Sequence, residues 1–271
     1  MLSGGSFINR FIILQVLRCH MSLLNLIKKA VRRIVPPKQP LGAAKAYDLL
    51  AATYDSQSDN LLIYLDDQVF AAMSESISCE GKVLADIGCG TGRHWQKLLS
   101  EKPSRLIGYD VSEKMLQILR QKFPQAETQV LKDNSLRGLQ DGSCDIIISN
   151  LVIGYIEDLK AAFAEWNRVL KPGGIVMITD LHPDALQRGN GVRAFSHDKK
   201  TVQIKNYSHP LQKINMLATV LQWEALSFIE RRIDESIRPF YQAQDALGIY
   251  ERLYEDAGNV AILYGWQFRK H

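Results

Sequence analysis

From Gly81 onward, two hydrophobic patterns take turns along the chain. Short apolar runs bounded by glycine or acidic residues alternate with stretches in which apolar residues recur every three or four positions. "KVLADIG" (82–88) is an apolar run of the kind found in strands buried on both faces. A helical pattern follows it through Leu99, and "RLIGYD" (105–110) is a second strand. Ser112 stands before Glu113 and the spacing Met115, Leu116, Leu119, which reads as an N-cap and its helix. "ETQVLKD" (127–133) is a third strand, and "CDIIISN" (144–150), with three consecutive isoleucines, is a fourth and central one. Leu159, Phe163, Trp166 and Leu170 mark one face of a helix. "KPGG" stops that helix before a fifth strand, "IVMITDL" (175–181).

This alternation predicts right-handed crossovers and an open parallel sheet, a doubly wound α/β fold. Ligands of such sheets bind beyond the carboxyl ends of the strands. The residues to watch are therefore Gly88 to Gly92, Asp110, Asp133, Ser149 to Leu151, and Asp180 to His182.

The first of these sites holds three glycines at alternate positions, in "DIGCGTG" (86–92). Glycine there lets backbone approach a ligand closely and permits positive φ. The loop lacks the GK[ST] ending of a triphosphate cradle, and it is one residue tighter than the GxGxxG of dinucleotide folds. Asp110 lies about 20 residues further on, at the end of the second strand, where a carboxylate accepts from both ribose hydroxyls. The pair points to a nucleoside cofactor. Asp133, ending the third strand, can accept from an adenine amine, with Asn134 beside it as the competing partner.

Five segments in order resemble the class I S-adenosylmethionine-dependent methyltransferases, in the branch that includes the ubiquinone and menaquinone methyltransferases and many small-molecule enzymes. They are "AYDLLAATYDSQ", "VLADIGCGTG", "LIGYDVSEKML", "DGSCDIIISNLVIGYIED" and "EWNRVLKPGGIVMITD". The resemblance covers about residues 43–182 well and the last third loosely. It implies a Rossmann-like seven-stranded sheet, mostly parallel with an antiparallel last strand, and "LQWEALSFIERRI" and "VAILYGWQFRK" fit strands six and seven. It implies S-adenosyl-L-methionine as cofactor. Gly88, Cys89, Gly90 and Gly92 would line its methionine part, with Asp86 holding the loop or the amino group. Val111 and Met115 would lie against the adenine, Asn150 and Leu151 under the sulfonium, and Tyr54 over the whole from an N-terminal lid.

The acceptor is harder to read, because a sulfonium methyl is already activated and the protein has mainly to position a nucleophile and exclude water. "SNLV" after the fourth strand is not the Pro-Pro-aromatic sequence used on base and amide nitrogens. The acceptor pocket is expected from the Tyr47-Asp48 lead-in, "GYIED" and a long insertion after strand five, 182–210. His182 is a candidate general base, or else a cap on the strand end; Tyr155 is a second candidate. Arg193 is a candidate carboxylate or phosphate grip, or a surface ion pair, and Tyr47 and His209 are candidate acceptor contacts. The histidines lack metal-ligand spacing, so no metal is expected.

Composition sets the limits. The chain has 271 residues, 46% of them hydrophobic, enough for one sizeable domain. Cys19, Cys79, Cys89 and Cys144 form no CxxC pair, as in a reducing cytoplasmic compartment. The formal net charge of +4 arises from a leader, residues 1–40, with seven basic and no acidic side chains. Without those seven of the 33 basic residues, 26 remain against 29 acidic ones, so the body is mildly negative and no nucleic-acid partner is expected. Within the leader, "MSLLNLIKKAVRRIVPP" (21–37) is a basic amphipathic stretch, either a membrane-surface anchor or an arm that packs or stays disordered. Met21 offers an alternative start. Residues 41–271 are expected to be one domain with a helical lid at 41–80. Two rival functions remain on the same fold: a non-catalytic sensor or scaffold that binds the cofactor, and a nicotinamide oxidoreductase, which the loop spacing disfavours.

Overall fold

A computed structural model describes residues 39–57, 60–188, 191–197 and 200–271. The expected leader, but for its last two residues, lies outside them. The chain opens with α1 (Ala43–Tyr54) and α2 (Leu61–Ser74). Then β1 (Val83–Ile87), α3 (Trp95–Ser100), β2 (Arg105–Asp110), α4 (Glu113–Lys122), β3 (Glu127–Val130) and β4 (Cys144–Asn150) follow. After a short turn of tight helix at Ile153–Tyr155 come α5 (Leu159–Val169) and β5 (Leu170–Leu181). The remainder is α6 (Pro183–Arg188), β6 (Arg193–His197), β7 (Lys200–Ile204), α7 (Leu211–Val220), β8 (Trp223–Arg232), α8 (Arg238–Gln242), α9 (Leu247–Ala257) and β9 (Ala261–Lys270).

Seven strands form one sheet in the order β3-β2-β1-β4-β5-β9-β8. The first five are parallel, and β9 runs antiparallel to both β5 and β8. The order reverses between β1 and β4, so a cleft opens at the carboxyl ends of these strands. Strand periodicity explains how both faces are covered, since successive residues point to opposite sides. Leu84, Ile146 and Ile148 pack with α2, α3 and α4 in one core. Ala85, Ile87 and Ile147 pack with α5 and α7 in the other.

Two strand boundaries differ from the sequence reading. β3 ends at Val130, three residues before Asp133. The helix before β5 does stop at Val169, but "KPGG" falls within the bounds of β5 as a bulge: Leu170 pairs with Cys144 and Ile175 with Ile146, and Gly173 takes φ +77°.

A third, smaller cluster joins the lid to the insertion. Ala46, Leu50 and Ala51 of α1 pack on Met115 of α4 and on Phe195 and Ile204 of the β6–β7 hairpin. Leu41 pairs with Ile204, so the entry to α1 is stitched to the same hairpin. Among the described residues no helix is long and apolar enough to cross a membrane.

Candidate active site

The loop after β1 is built from backbone bonds to the end of β2. Gly88 and Cys89 donate their N–H groups to the Tyr109 carbonyl at 2.6 and 3.1 Å. Gly90 donates to Asp110 Oδ2 at 2.9 Å, and Ser112 N–H donates to Asp110 Oδ1 at 2.8 Å. Gly88, Gly90 and Gly92 all have φ between +55° and +77°, which L side chains rarely adopt. At Gly88 a Cβ would also lie 2.2 Å from Val152 Cγ2, so the position excludes any side chain. Asp86 sits beneath the loop and accepts from the Trp95 indole at 2.8 Å, which anchors α3. Burial pushes its carboxyl up to about 7, and the nearby Asp110 adds to this. Burial pushes Asp110 up to about 6, opposed by the N–H groups of Ser112, Gly90 and Val111.

α1 closes over this loop. Asp48 accepts from Ser112 Oγ at 2.6 Å, while Asp55 accepts from Thr91 Oγ1 at 2.6 Å and from Lys122 at 3.0 Å. Tyr54 meets Tyr47 edge-on with ring centroids 6.4 Å apart, and burial pushes its phenol up to about 12. Under the lid, Asn150 ends β4 with its side-chain oxygen and nitrogen both buried and unpaired among the described residues. Leu151 follows at φ +60°, a strained conformation for a branched side chain, and its N–H is held by the Thr179 carbonyl at 2.8 Å.

Residues 85–178 match the methyltransferase-domain family. The malonyl-[acyl-carrier protein] O-methyltransferase of Serratia marcescens is 33% identical over 145 residues, which are 54% of this chain and 52% of that relative. The demethylmenaquinone methyltransferase of Chlorobaculum parvum is 27% identical over 158 residues, 56% of this chain and 65% of the relative. An S-adenosylmethionine-dependent methyltransferase from Mesorhizobium loti has the same fold at a TM-score of 0.55 and 18% identity, covering 74% of this chain and 96% of that one. The match to the methyltransferase-domain family thus spans β1 to β5 of the seven-stranded sheet. The chain spans about half the length of the curated O-methyltransferases it matches.

The loop, Asp110 and the β4 end share one rim of the parallel sheet. Met115 is buried beneath α1, while Val111 beside Asp110 is 38% exposed. Asp133 lies in solvent, accepting from Ser135 N–H at 2.9 Å and pairing with Arg137 at 2.9 Å. Its carboxylate is engaged by that turn because the strand has already ended; Asn134 follows it there. Arg93 and His94, which lead into α3, face α2. Arg93 grips Asp66 and Asp67 together, and His94 stacks on Phe70 with ring centroids 4.0 Å apart. Asp66, Asp67 and His94 bring ligand atoms within 4.8 Å of one another, but the Arg93 cation already lies against both carboxylates.

On the acceptor side Tyr47 donates to Tyr155 Oη at 3.0 Å, and the Arg193 guanidinium lies 4.7 Å over the Tyr155 ring. Arg193 is a buried partner of Asp180, not a surface ion pair. Asp180 also accepts from the N–H groups of Gly154 at 2.6 Å and Leu181 at 2.7 Å. His182 takes the capping alternative: its Nδ1 accepts from Asp184 N–H at 3.1 Å, opening α6, and its Nε2 lies 3.2 Å from Glu230. Nδ1 is thereby engaged at the start of α6, while Nε2, near Glu230 on β8, makes no hydrogen bond among the described residues. His209, by contrast, lines a small cavity with Gly154, Asp180, Arg193, Tyr207 and Tyr264.

Neither Asp48, expected with Tyr47 at the acceptor pocket, nor Asp55 was read from sequence as a fastener of the lid, although their signal was present. They repeat as Tyr-Asp at a spacing of seven residues, two helical turns, and so fall on one face of α1. Asp66 carried no local signal, because its partners Arg93 and Thr179 are distant in sequence.

Proposed function

We propose that the protein transfers the methyl group of S-adenosyl-L-methionine to a small-molecule acceptor, at oxygen or carbon, by in-line displacement. The observation that carries this reading is the 2.9 Å contact between Gly90 N–H and Asp110 at the rim of the sheet, which brings the glycine turn and the acidic strand end into one clasp. The residues fit the cofactor in two further respects. Gly90 leaves open space where a Cβ would stand, and Asn150 presents a buried amide without a partner among the described residues.

In this reading the backbone of Gly88 to Gly92 lies along the methionine part, and Asp110 accepts from the ribose hydroxyls. Val111 meets the adenine, Tyr54 covers the site, and Asn150 with Leu151 supports the sulfonium end. When bound, S-adenosylmethionine supplies a methyl group on a positively charged sulfur. Tyr47, Tyr155 and Arg193 position the acceptor, and the lid with its hairpin excludes water. Orientation and exclusion of this kind are worth on the order of 7–11 kcal/mol of barrier.

Calorimetry with S-adenosylmethionine, S-adenosylhomocysteine and NAD tests the cofactor, and a methyl-transfer assay tests the reaction. Binding of the first two without the third is expected. Absence of binding to either sulfur compound would overturn the reading.

A further inference from the structure

We propose that the open edge of β8 is the seam of a symmetric dimer, in which β8 pairs antiparallel with β8 of a second copy of this chain. The proposal does not rest on the methyl-transfer reading. β8 ends the sheet: it pairs with β9 and with no other strand among the described residues, so one row of its backbone donors and acceptors is left open. The opposite edge, β3, is four residues long, whereas β8 has ten. Long edges invite pairing and short ones resist it. Four of the nine large apolar side chains exposed among the described residues, Met216, Val220, Leu226 and Phe228, fall on β8 and on α7, which leads into it.

The order of side chains along β8 names the occupant. Glu224 stands opposite Arg269 of β9, Ser227 opposite Gln267, Ile229 opposite Gly265 and Arg231 opposite Leu263. Alternate residues of β9 share a face, so these four β8 residues point to one side of the sheet. Ala225, Phe228 and Glu230, opposite Phe268, Trp266 and Tyr264, point to the other side. The phase changes at Leu226, where the register shifts.

A two-fold axis through Phe228, perpendicular to the sheet, sets Ser227 against Ile229 of the second copy, Ala225 against Glu230, and Glu224 against Arg231. Each of these pairs shares a face, because the extra residue at Leu226 is passed over once on each strand. Glu224 and Arg231 are opposite in sign, and symmetry makes the pair twice. Arg231 Nε has no partner among the described residues, and the two charged contacts of Glu224 within its own chain, to Arg269 at 3.7 Å and His271 at 3.5 Å, are both made by Oε2. The axis also brings the two Phe228 rings together, each edge-on to its own Trp266 with centroids 4.8 Å apart. A strand of another protein carries this order only by accident, whereas a second copy carries it by identity.

Sedimentation equilibrium of the full chain at tens of micromolar tests the seam. The wild-type protein is expected at twice the chain mass. Glu224→Arg and Arg231→Glu each place like charges at both seam pairs, so each variant alone is expected as a monomer with unchanged circular dichroism. Mixed in equal amounts the two variants are expected to form a heterodimer, because one chain then presents two cations to the two anions of the other. A monomeric wild type, a single variant that still dimerises, or two monomeric variants that fail to combine overturns the proposal. Hydrogen exchange on the wild-type protein decides the matter if a variant does not fold. The amides of residues 224–231 are expected to gain about tenfold or more protection from dilute to concentrated solution, while those of β3 stay unchanged. Exchange at β8 that does not depend on concentration, or protection gained on another face instead, overturns the proposal.

Discussion

Gly90 donates its backbone N–H to Asp110 Oδ2 across 2.9 Å, and this bond ties the turn after β1 to the end of β2. The carboxylate is not idle without ligand, since Ser112 N–H occupies its other oxygen. A ribose must therefore add to a site already oriented by two backbone donors, which is the economy of a preorganised contact. Asp110→Ala removes the acceptor and leaves both N–H groups without it. Hydrogen bonds to a charged group contribute about 1.5–3 kcal/mol each, so S-adenosylmethionine affinity should fall at least about 30-fold. Calorimetry measures the loss, and unchanged circular dichroism shows that the fold persists.

The same carboxyl predicts opposite pH trends for binding and for stability. Burial raises Asp110 from its ordinary 3.8 to about 6 in the folded protein. Its contribution to stability is thus complete below about 3.8 and is lost as pH rises through about 6. Ribose recognition runs the other way, because only the ionised form accepts freely at both oxygens. Cofactor affinity should strengthen between pH 5 and 7, and Asp110→Asn should flatten that rise. A wild-type affinity independent of pH over this range would exclude the ionised carboxylate as the ribose partner.

Two glycines of one loop should respond differently to the same substitution. Gly90 at φ +55° has open space where a Cβ would go, so Gly90→Ala carries the backbone strain alone, about 1 kcal/mol. Gly88 at φ +70° meets Val152 Cγ2 at 2.2 Å as well, so Gly88→Ala should cost about 2–4 kcal/mol by urea unfolding. Val152→Ala in the Gly88→Ala background should recover part of that loss. Equal costs at the two glycines would place the constraint in the backbone and not in the contact with Val152.

The contrast between these glycines indicates what was legible in the sequence. Local pattern exposed the strands, the glycine turn and Asp110, because each is encoded within a few residues of itself. The same holds for the Ser112 cap, which accepts from Met115 N–H as its spacing suggested. Contacts between distant segments were not legible in this way. The approach of His182 to Glu230 on β8, and the grip of Arg93 on Asp66 of α2, depend on how distant elements dock across the sheet. The third strand reads as reaching Asp133 because an apolar-to-acidic run looks like strand to its last residue, whereas pairing with β2 stops at Val130.

The lid should act as a latch on the cofactor. Asp48 and Asp55 fasten α1 to Ser112 and Thr91, the residues that flank the proposed ribose and methionine contacts. Replacing both aspartates by alanine removes the charge-assisted bonds from Ser112, Lys114 N–H, Thr91 and Lys122 and leaves the sheet untouched. Dissociation of S-adenosylhomocysteine should accelerate about tenfold or more in stopped flow, with little change in association. A double variant with the wild-type off-rate would mean that α1 is held by its apolar contacts with Met115, Phe195 and Ile204 alone.

Asp66 tests a different property, the dependence of the domain on a buried ion pair behind the loop. It is 0% exposed and accepts from Arg93 and from Thr179 Oγ1, with His94 Nε2 3.5 Å away. Burial works to raise its pKa, but the hydrogen bond from His94 and the charge of Arg93 outweigh it and hold the carboxyl below its ordinary value. The resulting stability is present above about pH 3.8 and is lost as pH falls through the lower, folded value. Asp66→Ala leaves a largely buried guanidinium with only the half-exposed Asp67, and should destabilise by about 3–5 kcal/mol near neutral pH. Asp66→Asn keeps the shape and one acceptor and should lose less. Because Arg93 already neutralises both carboxylates, a chelator should leave the melting temperature unchanged, and added zinc should not raise it. A zinc-dependent rise abolished by Asp66→Asn would instead assign Asp66, Asp67 and His94 to a metal and displace Arg93 from its place here.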